Sequence, residues 1–188
     1  MALLHGSFEN EPVMAHKRKP LNDPHHTATH EAGHAVIGRV LTLACGEASI
    51  RPNYDDGSAG YAITHDPLEC EDIWGQRFKI RDDGAVYRAR IMAFMAGREA
   101  ETELLGSCQG GDGDDLYQIE LMAEQLVRCD LERLRRMTRM LVRRHRGRIE
   151  RVAAALLAEQ DLSEERLDEL VGRSVADVPD RRPVYLPR

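Results

Sequence analysis

Apolar side chains in the stretch 24–44 return every three to four positions, at Ala28, Ala32, Ala35, Val36, Val40 and Leu43, with Glu31 in the same stripe. This period lines one side of an α-helix. Asp23-Pro24 supplies the start: an N-cap residue type, then a proline whose missing N–H is not needed in the first turn. The spacing predicts one helix from Pro24 to about Ala44. Gly33 and Gly38 lie inside it, and each weakens a helix by ~1 kcal/mol against alanine. Their presence predicts close approach of another backbone or of a substrate.

After Glu47 the period shortens. Ala48–Arg51 and Gly60–Thr64 read as short strands around a turn at Asn53–Gly57. Residues 65–83 are polar and irregular, with a short helix predicted over Ile73–Ile80. Helical spacing returns over Val86–Leu105 through Ile91, Met92, Met95, Ala96, Ala100 and Leu104. A glycine-rich acidic loop, Gly106–Gly113, precedes a helix predicted from Leu116 to about Asp130, with Asp114 and Asp115 at its positive end. Leu131–Gln160 reads as strongly helical, and Ser163-Glu164-Glu165-Arg166 opens a last short helix with capping character. Residues 1–23 and 174–188 carry no apolar period and are expected to be a flexible arm and tail around a domain at 24–173. The prediction is a mainly α fold with one short β-hairpin.

Composition sharpens this picture. Apolar residues make up 42% and charged residues 31% of 188, as in soluble globular domains. Aromatics at 5% leave the core to aliphatic side chains and favour helices over a β-sandwich. Cys45, Cys70, Cys108 and Cys129 form no C-x-x-C pair and are expected to be reduced thiols in a cytoplasmic protein. Met1–Asn10 lacks a basic segment followed by an apolar one, and no apolar run reaches the ~18 residues that suggest a membrane span. A net charge of −6 argues against a general nucleic-acid binder, although nine arginines crowd the stretch 133–151. Leu134, Met137, Met140, Leu141 and Ile149 interleave them at helical spacing, so the run reads as a solvated outer face over a packed inner one.

The candidate chemistry sits in the first helix. His30-Glu31-Ala32-Gly33-His34 places two imidazoles one turn apart on one helix face, with a carboxylate on the same turn. Such a pair can hold Zn²⁺ while Glu31 acts on a metal-bound water. Zinc in a hydrolytic site takes three protein ligands, so the chain must supply another. His5, His16, His25, His26, His65, His145 and any well-placed carboxylate are candidates; a histidine at the short downstream spacing is excluded because that position is Val40.

Four elements follow in order: Thr27–Gly38 around the H-E-x-x-H; Ser49-Ile50-Arg51-Pro52 with Gly60-Tyr61; Met95-Ala96-Gly97-Arg98-Glu99-Ala100-Glu101; and Gly113-Asp114-Asp115-Leu116. Together they resemble the peptidase domain of FtsH-type proteases. Arg146–Gly172 also resembles that family's final helix pair. The resemblance implies Asp115 as the third ligand, with Asp114 at a position the family fills with asparagine. It implies that Glu101 stands beside the ligands, hydrogen-bonded to one of the histidines. An FtsH-like helical domain is the fold expected from it, with one zinc per chain.

The function expected is zinc-dependent hydrolysis of peptide bonds in unfolded or flexible protein, with Glu31 as general base. Gly60, Tyr61, Ala62 and Ile63 would pair main chain to main chain with an extended peptide. The resemblance departs where the family carries an ATPase module and membrane helices: no G-x-x-x-x-G-K-[ST] occurs, so a separate ATPase or adaptor is a candidate partner. The segment from Asp130 into Arg133 is also shorter than the family's, which leaves ring assembly in doubt. Two other readings stay open: a non-catalytic adaptor with this fold, and a regulator that binds nucleic acid through the arginine-rich helix.

Overall fold

The computed structural model describes residues 23–65, apart from Tyr54 and Asp56, and residues 84–172. The tail, most of the arm, Cys70 and the short helix predicted over 73–80 lie outside the described residues.

Helix α1 runs Pro24–Val40. The Asp23 carboxylate accepts a hydrogen bond from the His25 backbone N–H at 2.9 Å, as its N-cap position requires. The helix stops four residues short of the predicted Ala44. Thr42 takes a φ of 63°, and Leu43 N–H donates back to Gly38 O at 3.0 Å. This left-handed turn sends the chain into β1, Cys45–Ser49. Here Gly38 explains itself: a Cβ there would lie 2.7 Å from Cys45 Sγ.

The predicted first strand, Ala48–Arg51, is shifted earlier in the structure. β1 pairs antiparallel with β2, Tyr61–Thr64, through Ala48–Ala62 and Ser49–Tyr61. Its other edge is not open. β3, Asp161–Leu162, joins it there, so the expected hairpin is part of a three-stranded sheet ordered β2-β1-β3. Two residues are too few to show a period, which is why the sequence hides β3.

Helix α2, Ala85–Leu105, ends on Gly106 at φ 82°, a conformation glycine reaches without strain. Helix α3, Gly113–Glu124, starts before the predicted Leu116 and stops well before Asp130, closing with tight turns at Gln125 and Leu126. The single helix predicted over Leu131–Gln160 is two: α4, Leu131–Arg144, and α5, Arg146–Glu159. His145 ends one through its N–H to Leu141 O and starts the next by accepting from Ile149 N–H. The break lets α4 lie on α2 while α5 lies on α1. Helix α6, Glu164–Val171, is capped by Ser163 Oγ.

The arginine run divides as the interleaved apolar residues suggest. Leu134, Leu141 and Ile149 are buried, whereas Met140 departs from that stripe and is largely exposed. Arg139 and Arg143 reach across to Glu99 and Glu103 on α2 at 2.6 and 2.7 Å.

Helix α1 occupies the centre. From Thr27 to Val40 only His30 keeps notable exposure, so the small residues of this helix serve neighbours on every side. Arg39 is buried with its charge met by Asp168 at 2.7 Å and by Gly46 O at 3.0 Å, which fastens α6 and β1 to the same helix. Opposite, α2 crosses α1 at close range: a Cβ on Gly33 would sit 2.6 Å from Ala96 O and 2.9 Å from Ala100 Cβ.

Gly33→Ala therefore tests the crossing. Overpacking costs ~1–3 kcal/mol and outweighs the ~1 kcal/mol that alanine gains in helix propensity. Gly147→Ala, where a Cβ meets nothing within 4 Å, keeps only the gain. Chemical denaturation should show Gly33→Ala less stable and Gly147→Ala equal to or more stable than the parent; equal stabilisation of both would mean the helices are not in contact at Gly33.

Candidate metal centre

His30 and His34 turn their outer ring nitrogens to one point because their inner ones are held. His30 Nδ1–H donates to Glu101 Oε1 at 2.8 Å, and His34 Nδ1–H donates to Ala93 O at 2.7 Å. Both partners belong to α2. The two Nε2 atoms then lie 2.9 and 3.2 Å from Asp115 Oδ2, with the rings 4.6 Å apart at 74°. Asp115 arrives from the first turn of α3. The loop before it bends through Gly106, Gly110 and Gly111, all at positive φ, and Arg98 anchors it by donating to Asp112 at 2.6 Å.

Of the candidates for a third ligand, Asp115 is the group brought to both histidines. His65 and His145 lie elsewhere in the fold, and His5 and His16 lie outside the described residues. His25 is exposed, and His26 contacts Glu101 rather than the triad. Asp114 is exposed at the cleft wall and outside the triad. Glu101 is 1% exposed and accepts from His30, as the resemblance implies.

A cleft of about 410 Å³ opens beside these groups. Glu31, His30, His34 and Asp115 line it on one side, and Gly60, Tyr61, Ala62 and Thr64 on the other. Ile63 is exposed but lies outside the cleft lining, so one of the four residues expected to contact substrate there is set apart. Gly60 packs where a Cβ would come 2.9 Å from Thr27 Cγ2 and 3.1 Å from Glu31 Cγ.

One residue of the centre escaped the sequence reading as a site residue. A Cβ on Gly97 would lie 2.5 Å from Nε2 of both histidines. Its signal was its place in a run otherwise favourable for helix, Met95–Glu101, where glycine needs a reason.

The charges are mutually dependent. Burial opposes a proton on His30, but hydrogen bonds to Asp115 and Glu101 outweigh it and push its pKa up to about 10. His34 also rises against its burial, because of the Asp115 charge. Asp115 falls well below the usual carboxylate range despite burial, since His34 and His30 stand against it. Glu31 goes the other way, and burial is the main cause. Carboxylates gathered in an enclosed site demand positive charge, which the imidazoles meet as protons.

A dication meets the same demand. The three ligand atoms lie within 4.8 Å of one another, and two imidazole nitrogens with one carboxylate oxygen form a zinc-type donor set. Ligands ~2.0–2.1 Å from zinc at a tetrahedral angle are ~3.3 Å apart, close to the separations found here. The Nδ1 partners fix the ring orientations that such a site requires. The residues fit zinc.

No protein-family model matches this chain. Over 111 residues it is 31% identical to the ATP-dependent zinc metalloprotease FtsH of Hahella chejuensis (strain KCTC 2396). The alignment takes in 57% of this chain and 16% of that protein, so the chain spans a small part of its relative's length. A distant relationship to FtsH follows from this match, and the structure itself shows the mainly α fold. Among the described residues, no helix is long and apolar enough to cross a membrane.

Two outcomes are expected here. Asp115→Asn should weaken zinc binding beyond the ~10–100-fold typical of losing an outer hydrogen-bond partner, while Asp114→Asn leaves it within twofold or so. Isothermal titration with zinc decides, and a larger effect at Asp114 would move the third ligand.

The second concerns pH. His30 is raised above 6.5, so its contribution to the metal-free fold is full below about pH 6.5 and fades as pH climbs towards 10. Asp115 is depressed from 3.8, so the same contact is lost as pH falls below that value. Zinc affinity should instead rise with pH, because each ion displaces imidazole protons. Melting curves of chelator-treated protein and zinc titrations between pH 5.5 and 9 should slope in opposite directions; parallel slopes would contradict this linkage.

Proposed function

We propose that this chain is a zinc-dependent metalloendopeptidase acting on unfolded or flexible protein. The observation that carries the reading is the setting of Glu31: a buried carboxylate on the same turn as two histidine ligands, facing a cleft whose other wall is a sheet edge. His30, His34 and Asp115 would hold the metal. When bound, zinc supplies Lewis acidity, acidifying water and polarising a carbonyl. Glu31 then accepts the proton of the attacking water and delivers it to the departing amine. Burial raises the pKa of Glu31 above the ordinary carboxylate value, the direction that favours accepting a proton.

The β2 strand supports a peptide substrate. It is paired on one side with β1 and carries no further strand on the other among the described residues. Gly60 and Ala62 put little bulk into the cleft, so an extended chain can approach main chain to main chain with little sequence preference. Folded protein offers no such strand. Substrates are therefore flexible already, or are delivered by a separate ATPase or adaptor, since hydrolysis here needs only water and the metal.

The nucleic-acid reading gains less support. Arg135, Arg139 and Arg143 turn towards Glu99 and Glu103 on α2, and these contacts serve the fold. A peptide-binding adaptor with this fold remains the alternative, and one mutant separates the two readings.

Glu31→Gln should keep zinc and lose ~10²–10⁴ in the rate of casein or flexible-peptide hydrolysis, because the amide cannot take the proton. Turnover equal to the parent ends the mechanism. A parent that binds casein and zinc without cleaving establishes the adaptor.

A further inference from the structure

Glu101 is held more tightly than a single hydrogen bond to a ligand histidine requires. Oε1 accepts from His30 Nδ1 at 2.8 Å and lies 3.5 Å from Cys108 Sγ. Oε2 accepts from His26 Nδ1 at 2.7 Å and from the Gln109 backbone N–H at 3.1 Å. A carboxylate offers about four acceptor sites, and all are engaged. His26 lies one turn before His30 on α1, mostly buried at 14% side-chain exposure. It belongs neither to the ligand triad nor to the cleft lining. Gln109 closes the arrangement, its side-chain oxygen accepting from Asp23 N–H at 2.9 Å. The first turn of α1, the C-terminal part of α2 and the loop leading to Asp115 therefore meet on one carboxylate.

We propose that His26 is a positioning residue for the metal centre. By donating Nδ1–H to Glu101 Oε2 it keeps Oε1 facing His30, and so fixes the His30 tautomer and the direction of its Nε2. Two histidines on successive turns bind the two oxygens of one carboxylate, which leaves the carboxyl plane no freedom to rotate. Remove His26, and only the Gln109 N–H holds Oε2. The Glu101 plane can then turn, and the His30 ring follows it. The role needs a donor at the position of Nδ1, not a charge and not a ring.

This proposal rests on the metal-centre reading above, and its test distinguishes the two. His26→Asn places an amide N–H near the position of Nδ1. His26→Gln places it one bond further out, and His26→Phe keeps the ring without a donor. Zinc affinity is measured by competition with a chromophoric chelator at fixed pH, and ligand geometry by the visible absorption of the cobalt-loaded protein. His26→Phe and His26→Gln should lose on the order of tenfold in affinity and alter the cobalt bands, at the lower end of what outer partners give. His26→Asn should restore both. His25→Ala, one residue away and exposed, should change neither.

Parent-like affinity and spectrum in His26→Gln would overturn the role, whatever the folding of the phenylalanine variant. So would equal damage in the asparagine and glutamine variants, which would mean that ring packing and not the hydrogen bond matters. A parent protein that takes up no zinc, or keeps it after His34→Ala, refutes the metal centre itself and the positioning role with it.

Discussion

The close crossing of α1 and α2 is the constraint on which the rest depends. Gly33 lets the α2 backbone at Ala96 come within reach of α1, and Gly97 leaves room on α2 for the two imidazoles. Each glycine costs its helix ~1 kcal/mol against alanine. The return is geometric. At this separation, Ala93 O and Glu101 on α2 capture the Nδ1 atoms of His34 and His30, and both Nε2 atoms are left pointing at Asp115. With wider-spaced helices the same histidines would reach different partners.

The crossing also creates three carboxylates with different fates. Asp115 and Glu101 are both depressed, burial being outweighed by the histidines that donate to them. Glu31, on the α1 turn that carries the two histidines, is raised, because burial acts on it and among the described residues no hydrogen bond answers. Charges on the neighbouring imidazoles pull it down less than burial lifts it. Neighbouring carboxyl groups pushed in opposite directions would, under the proposed function, separate the tasks of holding charge and moving a proton.

Much of this was legible in the sequence wherever the cause was local. Four-residue spacing put His30 and His34 on one face; Asp23-Pro24 marked a helix start that the structure keeps; Gly33 and Gly38 announced close neighbours. What stayed hidden depends on partners far along the chain. Glu101 is 71 residues from His30, and Asp115 is 85 from it, distances that no periodicity spans. Spacing therefore left the third ligand open, and the resemblance to FtsH-type domains pointed to Asp115. His26 stood among the candidate third ligands, with nothing in the sequence to assign it to Glu101 instead. The break at His145 had no proline to mark it, and Gly147 two residues on is no more of a signal than Gly33 inside the unbroken α1; the break exists so that α4 and α5 can pack on different helices. β3 exists only because α5 delivers Asp161–Leu162 to the free edge of β1.

That free edge matters for the cleft. With β3 closing one side of β1, β2 becomes the edge that faces the metal centre. Its position is tied to the centre through Gly60, which packs on Thr27 and Glu31 of α1 and beneath Ser49 O of β1. Tyr61 adds a hydroxyl that donates to Glu47 at 2.9 Å on the neighbouring strand. A Cβ at Gly60 would come 3.1 Å from Glu31 Cγ, so the residue leading into the candidate peptide-binding strand lies close to the candidate proton acceptor. A displacement of the strand presses on the Glu31 side chain, and a displacement of α1 moves the strand. An extended peptide docking on β2 would therefore meet Glu31 at a fixed offset, set by packing before any substrate arrives.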